Sequence, residues 1–159
     1  MVHADTHPPE LAVSRWFNTE TPLTLAGLKG RVVVLHAFQM LCPACVAHGT
    51  PQAERIHRLL GGEDLAVIGL HTVFEHHAAM TPVALEAFIH EYRLRFPIAV
   101  DAPGTDGPIP ETMARYGMRG TPTTILIDRA GNLREHFFGQ ADDLMLGAAI
   151  GALLSEKPR

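Results

Sequence analysis

Two apolar runs of strand length, joined by one stretch of helical periodicity, restrict what this chain can fold into. Residues 31–38 read Arg31-Val32-Val33-Val34-Leu35-His36-Ala37-Phe38, β-branched and nearly continuous, as expected of a strand covered on both faces. Residues 65–70 form a second such strand. Between them Val46, Ala47, Ala53, Ile56, Leu59 and Leu60 recur at helical spacing, and Gly61-Gly62 ends the helix. A strand, a helix and a second buried strand make a unit whose sheet is sandwiched by helices.

The rest of the chain extends this unit. Residues 11–17 read as an edge strand, followed by a short connector over 23–30. Thr81-Pro82 opens another helix, with threonine at the cap and proline in the first turn, and its stripe is Leu85, Phe88, Ile89 and Tyr92. A short strand over 96–100 leads into a Pro- and Gly-rich loop (102–110) and a brief helix (111–116). Strands over 123–128 and 133–138 flank the turn Arg129-Ala130-Gly131-Asn132, and a helix over 141–154 closes the chain. The expectation is one α/β domain over residues 1–159. It has a mixed central sheet, helices on both faces, an N-terminal strand and a flexible N-terminus over 1–10.

A chain of 159 residues, 47% of them hydrophobic, buries enough surface to fold without a disulfide staple. Its formal charge of −4 and scattered basic residues argue against nucleic acid or an anionic membrane as partner. The longest apolar stretch is far too short to span a bilayer. The N-terminus has neither the cationic start nor the apolar core of a secretory signal, so the cytoplasm is expected, with a mature periplasmic form as the alternative. The two cysteines are therefore surplus to folding, and both lie in Cys42-Pro43-Ala44-Cys45.

Cys-x-x-Cys after a buried strand and at a helix start is a redox arrangement. Cys42 there faces unpaired N–H groups and the positive end of the helix dipole, which stabilise a thiolate. Cys45, one turn on, is within bridging distance and can resolve a mixed disulfide formed by Cys42. Lowering a thiol pKa from about 8.5 to about 7 raises the thiolate fraction at pH 7 roughly 15-fold. Reduced nucleophilicity takes back roughly a factor of 5, leaving a net gain of about threefold. The larger benefit is a sulfur that leaves readily in either direction. The competing readings are half a zinc site, which lacks a second ligand pair at metal spacing, and an inert buried pair. Some 77 residues beyond Cys45, Pro122 precedes a strongly apolar strand. A proline cannot donate to the ladder, and its place here points to a special loop with a cis Thr121–Pro122 peptide.

Together these motifs resemble the thioredoxin superfamily, and within it the TlpA/ResA-like thiol–disulfide oxidoreductases of the redoxin (AhpC/TSA) group. The similarity runs over about residues 11–154. It rests on Gly30-Arg31-Val32-Val33-Val34, Cys42-Pro43-Ala44-Cys45, the extra strand–helix unit over 81–101, and the run from Tyr116 through Gly120-Thr121-Pro122-Thr123 to Asp128. It implies a thioredoxin-like fold and exchange of protein disulfides through Cys42 and Cys45. It also implies a cis Pro122 packed on that pair, with the Thr121 backbone aligning an extended substrate. The partners expected are protein dithiols or disulfides and an upstream redox protein. No cofactor and no metal are called for, and a monomer or weak dimer is anticipated.

Three departures from the family are informative. Leu41 stands where the family usually has Trp, and His48 where Glu is common. His36 replaces a buried Asp or Asn, where a neutral imidazole is a candidate proton relay for Cys45. Pro43 resembles the more oxidising members. Met40, Leu41, Pro43 and Phe74 are candidates for an apolar rim. Two rival functions remain at this point. A peroxiredoxin-like hydroperoxide reductase would need a proline and a hydroxyl where Leu35 and Gln39 stand. A copper-binding chaperone would use the cysteines with His71, His76 or His77, in a loop expected to be a solvated surface.

Overall fold

β2 (Val32–Phe38) and β3 (Leu65–His71) are buried along their whole length in the computed structural model, which describes residues 7–157. They pair in parallel, with His36 opposite Gly69. β5 (Thr123–Ile127) runs antiparallel on the other side of β2, placing Thr124 opposite His36. The sheet is completed by β1 (Val13–Phe17), β4 (Ile98–Asp101) and β6 (Leu133–Phe138), in the order β1-β4-β3-β2-β5-β6. β3–β4 is parallel, and β1–β4 and β5–β6 are antiparallel, so the sheet is mixed, as the sequence implies. The central insertion supplies β4, which separates the edge strand β1 from β3.

Alternation along β2 divides the core in two. Val32, Val34 and Phe38 pack with Ala53 of α1 (Thr50–Leu60), Leu85 and Ile89 of α2 (Pro82–Glu91), and Leu146, Ile150 and Leu153 of α4 (Asp143–Ser155). Val33, Leu35 and Ala37 pack on the opposite face with Met113 of α3 (Glu111–Arg115), Met118, Leu25 and Leu28. Of the two side-chain caps here, Thr81 is the one read from the sequence; Asp142 is seen only in the structure. Thr81 Oγ1 accepts the Ala84 N–H at 3.3 Å, and Asp142 Oδ1 accepts Leu144 and Met145 N–H at 2.9 and 3.1 Å.

The expected flexible N-terminus falls partly on residues 1–6, outside the described residues. Beyond them, Tyr116 Oη donates to the Pro9 carbonyl at 2.6 Å, and Glu10 accepts the Leu25 and Ala26 N–H groups, so the chain is already anchored there. Among the described residues no helix is long and apolar enough to cross a membrane.

Candidate active site

Cys42 and Cys45 are joined as a disulfide, with their Cα atoms 5.1 Å apart. Cys42 is 8% exposed and Cys45 is fully buried, so Cys42 is the sulfur a partner meets first. The Cys45 N–H donates to Cys42 Sγ at 3.2 Å, an interaction that will favour a thiolate on Cys42 once the bond is reduced. Cys42 Sγ also lies 3.5 Å from the carbonyl oxygen of Thr121.

The helix that follows differs from the one expected. Cys45–Gly49 forms a π-helical turn before α1 begins at Thr50. Pro51 accounts for it: proline has no N–H for the carbonyl four residues back, and its ring crowds that carbonyl, so the preceding turn widens. Of the expected stripe, Ala53 is buried and Ile56 packs against the core, but Leu59 and Leu60, the last two residues of α1, are 71% and 44% exposed; Thr50 and Gln52 also face inward.

The widened turn brings Gly49 between two parts of the site. A Cβ at Gly49 would lie 2.8 Å from His36 Cε1 and 3.0 Å from Pro122 Cβ, so only glycine lets these three meet. Pro122 is buried, its peptide with the half-buried Thr121 is cis, and its carbonyl accepts the Gly139 N–H at 2.8 Å. His36 stacks on Phe38 at 5.3 Å between ring centroids, and its Nε2 is 3.0 Å from Thr50 Oγ1. Burial pushes the His36 pKa down to about 3, so the ring is neutral at pH 7. Sequence reading missed Gly49 and Thr50; the signal available was a proline one residue past Thr50 in an otherwise helical pattern.

The other candidates separate into surface and interior. Leu41 is 57% exposed, and Pro43 is exposed beside it. Met40 is buried in the core, and Phe74 packs partly against the core on the opposite face, so the apolar rim reduces to Leu41 and Pro43. Gln39 is buried, and its Oε1 accepts the Phe74 N–H at 3.2 Å. Its position therefore serves the loop. His48 is exposed. His71 is not in a solvated loop: it ends β3, is 1% exposed, and its Nε2 accepts the Met40 N–H at 3.3 Å. His76 and His77 are exposed, and His77 Nε2 is 3.1 Å from the Pro108 carbonyl oxygen. Among the described residues no three His, Cys, Asp or Glu side chains converge as a metal site.

Comparison with known proteins agrees with this geometry. The Redoxin family model matches residues 7–148. A thioredoxin-like superfamily protein of known crystal structure is 56% identical, over 96% of this chain and 99% of its own, with a TM-score of 0.94. A thiol-disulfide isomerase from Corynebacterium glutamicum is 52% identical, over 97% of this chain and all of its own, with a TM-score of 0.92. Thiol-disulfide oxidoreductase ResA from Bacillus thuringiensis is 26% identical over 118 residues, which are 74% of this chain and 61% of that protein. The chain thus spans about six tenths of the length of the ResA relative it matches. With a cysteine pair after β2, a cis-proline before β5 and a family match over most of its length, the chain belongs to the Redoxin family and has the thioredoxin-like fold.

Proposed function

We propose that this protein is a thiol–disulfide oxidoreductase acting on protein dithiols and disulfides. The observation that carries the reading is the asymmetry of the pair: Cys42 keeps 8% exposure, with its sulfur 3.5 Å from the Thr121 carbonyl oxygen and exposed Leu41 and Pro43 on either side of it in the chain, while Cys45 is fully buried. In the reducing direction the Cys42 thiolate attacks one sulfur of a substrate disulfide, forming a mixed disulfide and expelling the substrate's other sulfur as a thiolate. The Cys45 thiolate then attacks Cys42 Sγ, closing the Cys42–Cys45 bond and releasing the first substrate sulfur. Two electrons pass to the substrate, and its thiolates take up two protons from solvent. A second redox protein must return those electrons. Run backwards, the same steps oxidise a dithiol.

The Thr121 carbonyl, beside Cys42, is placed to accept a main-chain N–H from an extended substrate. His36 supports this surface by packing: with a pKa near 3 it is a weak acceptor for the Cys45 proton, and its contacts are to Phe38, Thr50 and Gly49. Gln39 and Leu35 offer no hydroxyl or ring of the kind a peroxidatic cysteine uses, which favours disulfides over hydroperoxides as substrate.

The test is insulin reduction driven by glutathione, with a redox titration of the pair. The expected result is turnover by the wild type, none by Cys42→Ser, and a trapped mixed disulfide on Cys42 in Cys45→Ser. A potential near −270 mV marks a reductant and one near −120 mV an oxidant. Peroxide consumption that needs Cys42, without insulin reduction, would overturn the reading.

A further inference from the structure

The segment that leads from β2 into Cys42 is held in an unusual way. After Phe38 the chain leaves the sheet, and its next amides lie in buried or part-buried surroundings, where an unpaired N–H is costly. Side chains and a turn take them one after another. The Met40 N–H donates to His71 Nε2 at 3.3 Å, the Leu41 N–H to Met80 Sδ at 3.5 Å, and the Cys42 N–H to the Gln39 carbonyl at 3.4 Å. Gln39 Oε1 closes the clamp by accepting the Phe74 N–H at 3.2 Å. Gln39, Met40, His71 and Met80 are all at least nine-tenths buried. Leu41 alone turns outward, 57% exposed next to the attacking sulfur.

An imidazole accepts at Nε2 only when it is neutral with its proton on Nδ1. Burial favours the neutral ring, and Phe38 packs on it with centroids 5.2 Å apart. A thioether is a weak acceptor, so its use at Leu41 reflects what the fold can bring there: Met80 lies immediately before the Thr81 cap of α2. Two elements of the central region, the end of β3 and the entrance to α2, therefore set the path of the segment bearing Leu41 and Cys42.

We propose that His71 and Met80 are positioning residues for disulfide exchange, holding the Met40 and Leu41 amides so that the Leu41 side chain stands as a preset apolar contact for the polypeptide whose sulfur meets Cys42. The proposal rests on the reading that Cys42 attacks a protein disulfide. Neither residue touches the reacting atoms. Their effect reaches the substrate through Leu41, so it belongs in KM and not in kcat.

The experiment combines amide hydrogen exchange on the full chain with glutathione-driven insulin reduction. Met80→Leu keeps the volume and removes the acceptor; it should speed exchange of the Leu41 amide and leave that of Met40 unchanged. His71→Phe should do the reverse, and His71→Gln, whose Oε1 can accept, should restore slow exchange. Met80→Leu, His71→Phe and Leu41→Ala should each raise KM for insulin about fivefold with kcat within about twofold. Combining Met80→Leu with Leu41→Ala should add nothing further, since both act through one contact. If wild type reduces insulin and Met80→Leu retains its KM, the proposal fails while the function stands. A wild type that neither reduces insulin nor oxidises a dithiol peptide overturns the function and the positioning role together.

Discussion

Replacing Gly49 by alanine sets two effects of known size against each other. Gly49 lies in helical backbone, φ −63° and ψ −49°, where alanine is favoured over glycine by about 1 kcal/mol. The new Cβ would stand 2.8 Å from His36 Cε1 and 3.0 Å from Pro122 Cβ, against an ordinary carbon contact of about 3.5–4.0 Å. Neither neighbour can yield cheaply: the imidazole is stacked on Phe38 and tied to Thr50, and Pro122 is a ring in a buried strand entrance. Overpacking of this kind costs about 2–3 kcal/mol. The net effect is a loss of about 1–2 kcal/mol, or about 3–6 °C in Tm for a domain of this size. Gly147 in α4 supplies the control, because it is exposed and a Cβ there meets nothing within 4 Å. Gly147→Ala should therefore stabilise by about 0.5–1 kcal/mol. Urea unfolding of both variants in the oxidised form measures the two values. If Gly49→Ala gains stability as Gly147→Ala does, the contact of His36, Gly49 and Pro122 is not tight, and glycine is not what lets them meet.

Acid should destabilise the fold through two histidines. His36 and His71 are held neutral by burial, with pKa values of about 3 and about 4. In the unfolded chain each titrates near 6.5, so protons are gained on unfolding: stability is fully present above pH 6.5 and falls as pH drops toward 4 for His71 and 3 for His36. Each should cost about 2.5 kcal/mol between pH 7 and pH 4.5. His71→Gln should flatten the pH dependence of urea midpoints by about half, and an unchanged slope would rule His71 out as a source. A third prediction concerns Asp101, whose carboxylate accepts Thr72 Oγ1–H at 2.9 Å and the Thr112 and Met113 N–H groups at 2.8 and 3.0 Å. Asp101→Ala strands three buried donors and should cost about 3 kcal/mol. A Tm within about 2 °C of wild type in calorimetry would show that water replaces the carboxylate.

Much of the architecture was legible because it is written in local terms. β2 and β3 announce themselves by β-branched residues with no polar break but His36, since both faces of a central strand are covered. Thr81-Pro82 shows a helix start because a cap acts on an amide three residues away. The cysteine pair was legible for the same reason: its chemistry needs a spacing of three along one helix turn. Pro122 was legible as a donor missing from a strand entrance.

What the sequence could not state is who meets whom across the sheet. His71 reads as the first of a histidine-rich surface loop, and only the pairing of β3 beside β2 carries its ring inward to the Met40 amide. Met80 and Gln39 have no motif at all; they accept the Leu41 and Phe74 amides because the chain there has left the sheet and its N–H groups need other partners. Leu59 and Leu60 fit the helical stripe of Ala53 and Ile56, but they form the last two residues of α1 and are left exposed while the other two are covered by the core. The sequence by itself determined the elements and the reactive pair, because propensity, capping and thiol spacing act over a few residues. The tertiary structure alone decided which cysteine keeps some exposure, which histidines are buried and what holds the approach to Cys42, because burial and long-range hydrogen bonds are properties of packed neighbours far apart in the chain.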